Sequence, residues 1–176
     1  MLMAPSRIPL THQERTLIGM LDRFAEQGAT EPERQQIVEI AEKTDSSQVR
    51  NAAAVAMADL HIEGADQVLL RLLRRPDTRG HRGTLLYALD ELNASLPLPL
   101  VVSLLLEEKY EGREETLMIV GKRHVTGTVQ ELDMALSRLR PLAESADEYT
   151  AAVGERAVSW LRPLRRRISR RQLSAV

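Results

Sequence analysis

The feature that most constrains this chain is a repeat. The segment SSQVRNAAAVAMADLH at 46–61 is followed, 32 residues later, by TRGHRGTLLYALDELN at 78–93. With Arg50 set on Arg82, Ala53, Ala54, Ala56, Met57 and Leu60 fall on Leu85, Leu86, Ala88, Leu89 and Leu92. The same shift carries Val68, Leu69, Leu70, Leu72 and Leu73 onto Leu100, Val101, Val102, Leu104 and Leu105. Agreement in two successive apolar segments is far more demanding than agreement in one, because Ala/Leu-rich helices match by chance. A third copy is degraded: Leu85, Tyr87 and Ala88 fall on Leu117, Ile119 and Val120, but Asp133 and Ser137 interrupt the second segment. Apolar spacing within each segment is helical. A pair of helices recurring at this period cannot bury its apolar face alone, so successive pairs must stack into one core.

The rest of the chain reads as helices too. Aromatics make up only 3% of the sequence against 43% hydrophobic residues, so Leu, Ala and Val must fill the core, and these favour helix. Residues 12–27 place Leu17, Ile18, Leu21 and Phe24 on one face. Gly28 ends that segment, and Thr30 and Pro32 open the next. The spacing predicts further helices from Asp45 or Ser46 to about His61, after Gly64, around Leu85–Leu92 and from the SLPLP segment. Others are predicted from Gly112 or the acids before it, from Thr128, and through Val153, Ala157, Trp160 and Leu164 toward Ile168, where Pro163 either kinks or interrupts the helix or marks a fresh start. No run reads as a strand.

DSSQVRNAAAVAMADL resembles the first helix of a HEAT-like repeat, in which an acid, a Val-Arg pair and an alanine run recur; here these are Asp45, Val49, Arg50 and Ala52–Ala54. The resemblance is best over 45–109. It implies an all-α chain: a right-handed α-solenoid of about four helix pairs with a C-terminal capping helix. The expected division is a loose arm over 1–11, a solenoid over 12–161 and a basic tail over 162–176. It also implies bridging pairs, Asp45 with Arg50 and Asp77 with Arg82, and a concave face lined by second helices. There Gln67, Arg71, Arg74, Arg75, Ser103, Leu106 and Glu107 would point outward.

Charge is divided unequally. Arg162, Arg165, Arg166, Arg167, Arg170 and Arg171 follow Leu161 with no acid among them, and the remaining 18 basic residues face 25 acidic ones, a balance of −7. Two segments therefore stand out as binding candidates. LLLEEKYEGREE gathers Glu107, Glu108, Glu111, Glu114 and Glu115 around Tyr110, either as a docking edge for a basic partner or as a solvated helix junction whose acids suit the helix dipole. The tail is either a helix packing Leu161, Leu164 and Ile168 on the last repeat with its arginines in water, or a contact for nucleic acid, an anionic membrane or an acidic protein. Arg166, Arg167 and Ser169 also spell a short basic kinase-type pattern.

Catalytic chemistry finds little support. His12 with Glu14 and His61 with Glu63 have a metal-compatible spacing, but the adjacent His-Glu pairs of HEAT-like iron hydroxylases are missing, and Cys is absent. No Gly-rich phosphate loop or activated nucleophile is visible. The start of the chain does not read as a signal peptide, and no apolar run is long enough to span a bilayer. The expectation is a cytoplasmic, cofactor-free, non-catalytic protein-binding module, in its more pointed form an immunity or antitoxin-type protein that masks a basic toxin domain, a step taken from fold to function by analogy. The alternative is a nucleic-acid-associated regulator using the arginine tail.

Overall fold

The structure is a computed structural model that describes residues 9–173, with side chains described as far as residue 170. Most of the expected N-terminal arm (1–8) and the end of the tail (174–176) lie outside the described residues. The described chain is all-helical apart from two strands of two residues each, and it forms two compact units, Met1–Ile62 and Glu63–Val176. The boundary falls inside the span expected to be one solenoid.

The first unit holds α1 (His12–Gln27), α2 (Glu31–Lys43) and α3 (Ser47–Asp59). Thr11 and Glu14 cap α1 reciprocally, the Glu14 amide on the Thr11 hydroxyl and the Thr11 amide on the Glu14 carboxylate, and at the start of α2 the amide and hydroxyl of Thr30 both donate to the Glu33 carboxylate. Helix α3 packs on both others. Its alanines explain how: Ala53, Ala54 and Ala56 are buried with Leu21, Ile37 and Ala41, and methyl side chains let the helices approach closely. Arg34 donates to the carbonyl of Leu60 at 2.9 Å, placing a cation on the C-terminus of α3.

The second unit contains α4 (Ala65–Arg74), a single 3-10 turn at Pro76–Thr78, α5 (Gly83–Glu91), α6 (Leu98–Glu107), α7 (Tyr110–Gly121), α8 (Val129–Ala143), α9 (Glu148–Leu161) and α10 (Leu164–Leu173). Within it α5 packs on α4 and α7, α7 on α9, α6 on α7 and α8, and α8 on α9. The core is aliphatic: Leu69, Leu85, Leu89, Leu104, Leu117, Leu132 and Leu161 are fully buried. Pro163 does break the last segment, separating α9 from α10. Gly112 lies inside α7 rather than before it, because α7 already starts at Tyr110.

Two local features depart from the sequence reading. The strands β1 (Leu96–Pro97) and β2 (Val125–Thr126) pair in parallel just before α6 and α8, with the Leu96 amide donating to the His124 carbonyl at 2.9 Å. Such short strands carry no periodicity, so they are invisible to pattern reading. The third repeat also slips. Tyr87 is 45% exposed, whereas Ile119, its partner under a shift of 32, is fully buried. In the middle of α7 the exposed position is Met118, so burial there follows a shift of 31. At the helix ends the shift is 30: the amides of Ala94 and His124 reach the carbonyls of Leu89 and Ile119. The preceding residues Asn93 and Arg123 take φ of 53° and 64°, as His61 does at 47° at the end of α3. Which side of α7 is buried, rather than letter matching, sets the register at mid-helix.

Candidate functional site

The acidic segment 107–115 begins with a lock. Thr78, at the end of the 3-10 turn, and Glu108, just past α6, converge on the guanidinium of Arg82 at the start of α5. Glu108 Oε1 lies 3.1 Å from Nη1, and Nε donates to the Thr78 hydroxyl at 3.1 Å. Nη2 donates to the carbonyl of Arg75, and Glu108 also accepts from the Gly80 amide at 3.3 Å. Both ionic side chains are almost wholly buried. Gly112 makes room for this arrangement, since a Cβ there would lie 2.9 Å from that of Glu108. The arginine expected to bridge to Asp77 is thus bound elsewhere, while Asp77 holds Arg75 at 2.8 Å. The equivalent Arg50 is also buried and donates to the Thr44 carbonyl.

The remaining acids lie outside the lock. Glu107 sits 3.3 Å from Arg79 and 3.9 Å from Arg82. Glu111 and Tyr110 are exposed, and Glu111 covers the missing side chain of Gly83. The Tyr110 ring, 67% exposed, lies 5.1 Å from that of Tyr149 at the start of α9. Tyr149 in turn donates to the Tyr110 carbonyl at 3.3 Å, and burial, followed by the Glu114 charge, pushes its phenol up to about 12. Glu114 pairs with Arg156 at 3.0 Å, whose guanidinium stands over Trp160, 5.1 Å from the ring centroid. Burial, reinforced by Asp90 and Glu111, raises the Glu115 carboxyl above its ordinary value, against an opposing effect of Lys122. Lys122 is held 2.6 Å from Asp90, one oxygen of which is enclosed without a hydrogen bond. Glu111, Glu114, Glu115 and Met118 share one side of α7 by their helical spacing. With Tyr87 on the neighbouring α5, they form an acidic surface dotted with exposed Tyr87, Tyr110 and Met118.

The arginine tail forms a helix with two distinct sides. Leu164 and Ile168 are buried, and α10 packs on α8 and α9. Arg162, Arg165, Arg166 and Arg170 lie on the exposed side. Arg165 pairs with Asp133 at 2.7 Å, and Arg167 donates to the Arg123 carbonyl. The Arg171 side chain lies outside the described residues. A cavity of about 520 Å³ opens between these helices, lined by Asp133, Ser137, Arg140, Glu144, Arg162 and Arg165 among others.

Arg71 and Arg74 are exposed on α4, and Arg74 lines a hollow of about 280 Å³ with Pro97, Pro99, Leu100 and Ser103 at the end of α6 opposite the acidic junction. Leu106 is half-buried. Among the described residues no three His, Asp or Glu side chains come together to hold a metal, and no helix is long and apolar enough to cross a membrane. Comparison with protein-family models, curated proteins and solved structures finds no match to this chain.

Sequence reasoning missed Asp90, Lys122, Tyr149 and Arg156. For two ion pairs a signal existed: Asp90–Lys122 and Asp133–Arg165 are each separated by 32 residues. That is the spacing that relates the first two copies in the sequence, so opposite charges at that distance could have been sought from the repeat alone.

Proposed function

We propose that this protein is a non-catalytic binding module of HEAT-like α-solenoid type that acts by masking a basic partner protein, as immunity or antitoxin-type proteins do. The observation that carries the reading is the α5–α7 surface, where exposed Tyr110 and Met118 lie among Glu107, Glu111, Glu114 and Glu115. Exposed aromatic and Met side chains within a charged rim are the usual anatomy of an interface centre. The acids would steer a Lys/Arg-rich face toward it. The order of helix packing, α5 to α7 to α9 and α6 to α8, supports the repeat fold. The step from such a fold to immunity is one of analogy.

Affinity capture from the source cells tests this, using wild type beside a variant carrying Tyr110→Ala, Glu111→Lys and Glu115→Lys. Glu108 is left intact because its buried pair with Arg82 maintains the fold. A basic protein retained stoichiometrically by wild type and lost from the variant is the expected result. Equal retention by both, or no basic protein retained, would reject the acidic surface as the interface.

A further inference from the structure

We propose that the groove between α8, α9 and α10 binds a phosphate group, carried by a small phosphorylated molecule or by the backbone of a nucleic acid. Three arginines from three places in the fold line this cavity: Arg140 in the last turn of α8, Arg162 at the α9–α10 break and Arg165 in α10. Its volume of about 520 Å³ lies within the roughly 300–1,000 Å³ of small-ligand sites. Asp133 already neutralises Arg165 at 2.7 Å, whereas Arg140 and Arg162 have no carboxylate partner among the described residues. Against these two forks stands Glu144 on the rim, so the lining retains positive charge. Ser137 adds a hydroxyl donor. Planar guanidinium forks match phosphate oxygens two at a time, which gives the site geometric as well as electrostatic selectivity.

The surroundings extend the site. Arg162 at the break and Arg165 and Arg166 in the first turn of α10 are all exposed and offer a path for further phosphates. A membrane surface is disfavoured, because Leu164 and Ile168, which would have to enter the lipid, are buried at 3% and 6% exposure against the protein. The concavity of the site favours a compact phosphate over the side of a folded acidic protein.

Two probes test the full chain at near-physiological salt: inorganic diphosphate by calorimetry, and a labelled oligo-dT by fluorescence anisotropy. The variant Arg140→Ala/Arg162→Ala should weaken both by at least about tenfold, since each charged hydrogen bond contributes about 1.5–3 kcal/mol. Arg138→Ala, an exposed arginine outside the cavity lining, should leave both unchanged. Asp133→Asn, which frees Arg165, should tighten them. Single-strand binding through the two unpaired guanidiniums, Arg140 and Arg162, should show a log–log salt slope of about −1.4, falling toward zero in the double variant. Either probe responding this way supports the site. Tighter binding of the oligonucleotide assigns the phosphate to nucleic acid, and equal or weaker binding assigns it to a small molecule. No saturable binding of either probe, an equal loss in Arg138→Ala, or equal competition by polyglutamate would overturn the proposal.

Discussion

Replacing Glu108 by alanine tests whether the acidic segment is partly structural. The carboxylate lies 3.1 Å from the Arg82 guanidinium, with side-chain exposures of 2% and 4%. At an effective dielectric near 20, charges so separated attract by about 5 kcal/mol, most of which offsets the desolvation of both ions. Removing one partner keeps the desolvation of the other, and losses of about 3–5 kcal/mol are typical of such breaks. Glu107, 3.9 Å away, and the Thr78 and Arg75 oxygens compensate in part. The expected cost is therefore at the lower end, about 3 kcal/mol. With an m-value of about 2 kcal/mol/M, the urea midpoint falls by about 1.5 M. Trp160, the sole tryptophan, lies in the same unit, so its fluorescence reports this unfolding. The double variant Arg82→Met/Glu108→Leu should recover most of the loss, because an apolar pair leaves no charge buried alone. A Glu108→Ala midpoint within about 0.3 M of wild type, or a double variant as unstable as the single, would refute the reasoning.

Gly154→Ala should destabilise the second unit by about 2 kcal/mol or more, read as a lower melting temperature, because its Cβ would meet the backbone of Leu142 and Ala143, 2.6 Å from the Leu142 carbonyl carbon. The acid Glu115 binds its proton more tightly folded than unfolded, so stability falls as pH rises from the unfolded value near 4.5 through the higher folded value. Glu115→Gln should remove that decline in urea midpoints measured from pH 4 to 7; an unchanged decline would reject it. Arg34→Ala should cost about 1 kcal/mol in the first unit by stripping the Leu60 carbonyl of its cation, measurable by hydrogen exchange at the end of α3.

The helices of this chain were legible because their determinants are local. Thr11, Thr30 and Thr128 cap through side chains three residues away, and the apolar spacing of α3 to α6 repeats faithfully. The burial of Leu161, Leu164 and Ile168 beneath an arginine surface was legible for the same reason. The site was less so. Six acidic or aromatic residues within nine positions looked like one cluster, yet Glu108 is buried while Tyr110 and Glu111 face solvent. Whether a carboxylate enters the core depends on a cation more than two dozen residues away, and no local pattern encodes that. Tyr149 and Arg156 join the surface only because α9 packs on α7.

The sequence by itself determined a chain that is helical almost throughout, most of the places where helices start and stop, and the recurrence of the α3 and α4 patterns in α5 and α6. Tertiary structure alone decided the register of the third copy, the strand pair before α6 and α8, the Arg82–Glu108 lock and the arginine-lined groove. The physical reason is range: capping and periodic burial act over one or two helical turns, whereas charge pairing and groove formation depend on which distant surfaces packing brings within a few ångströms.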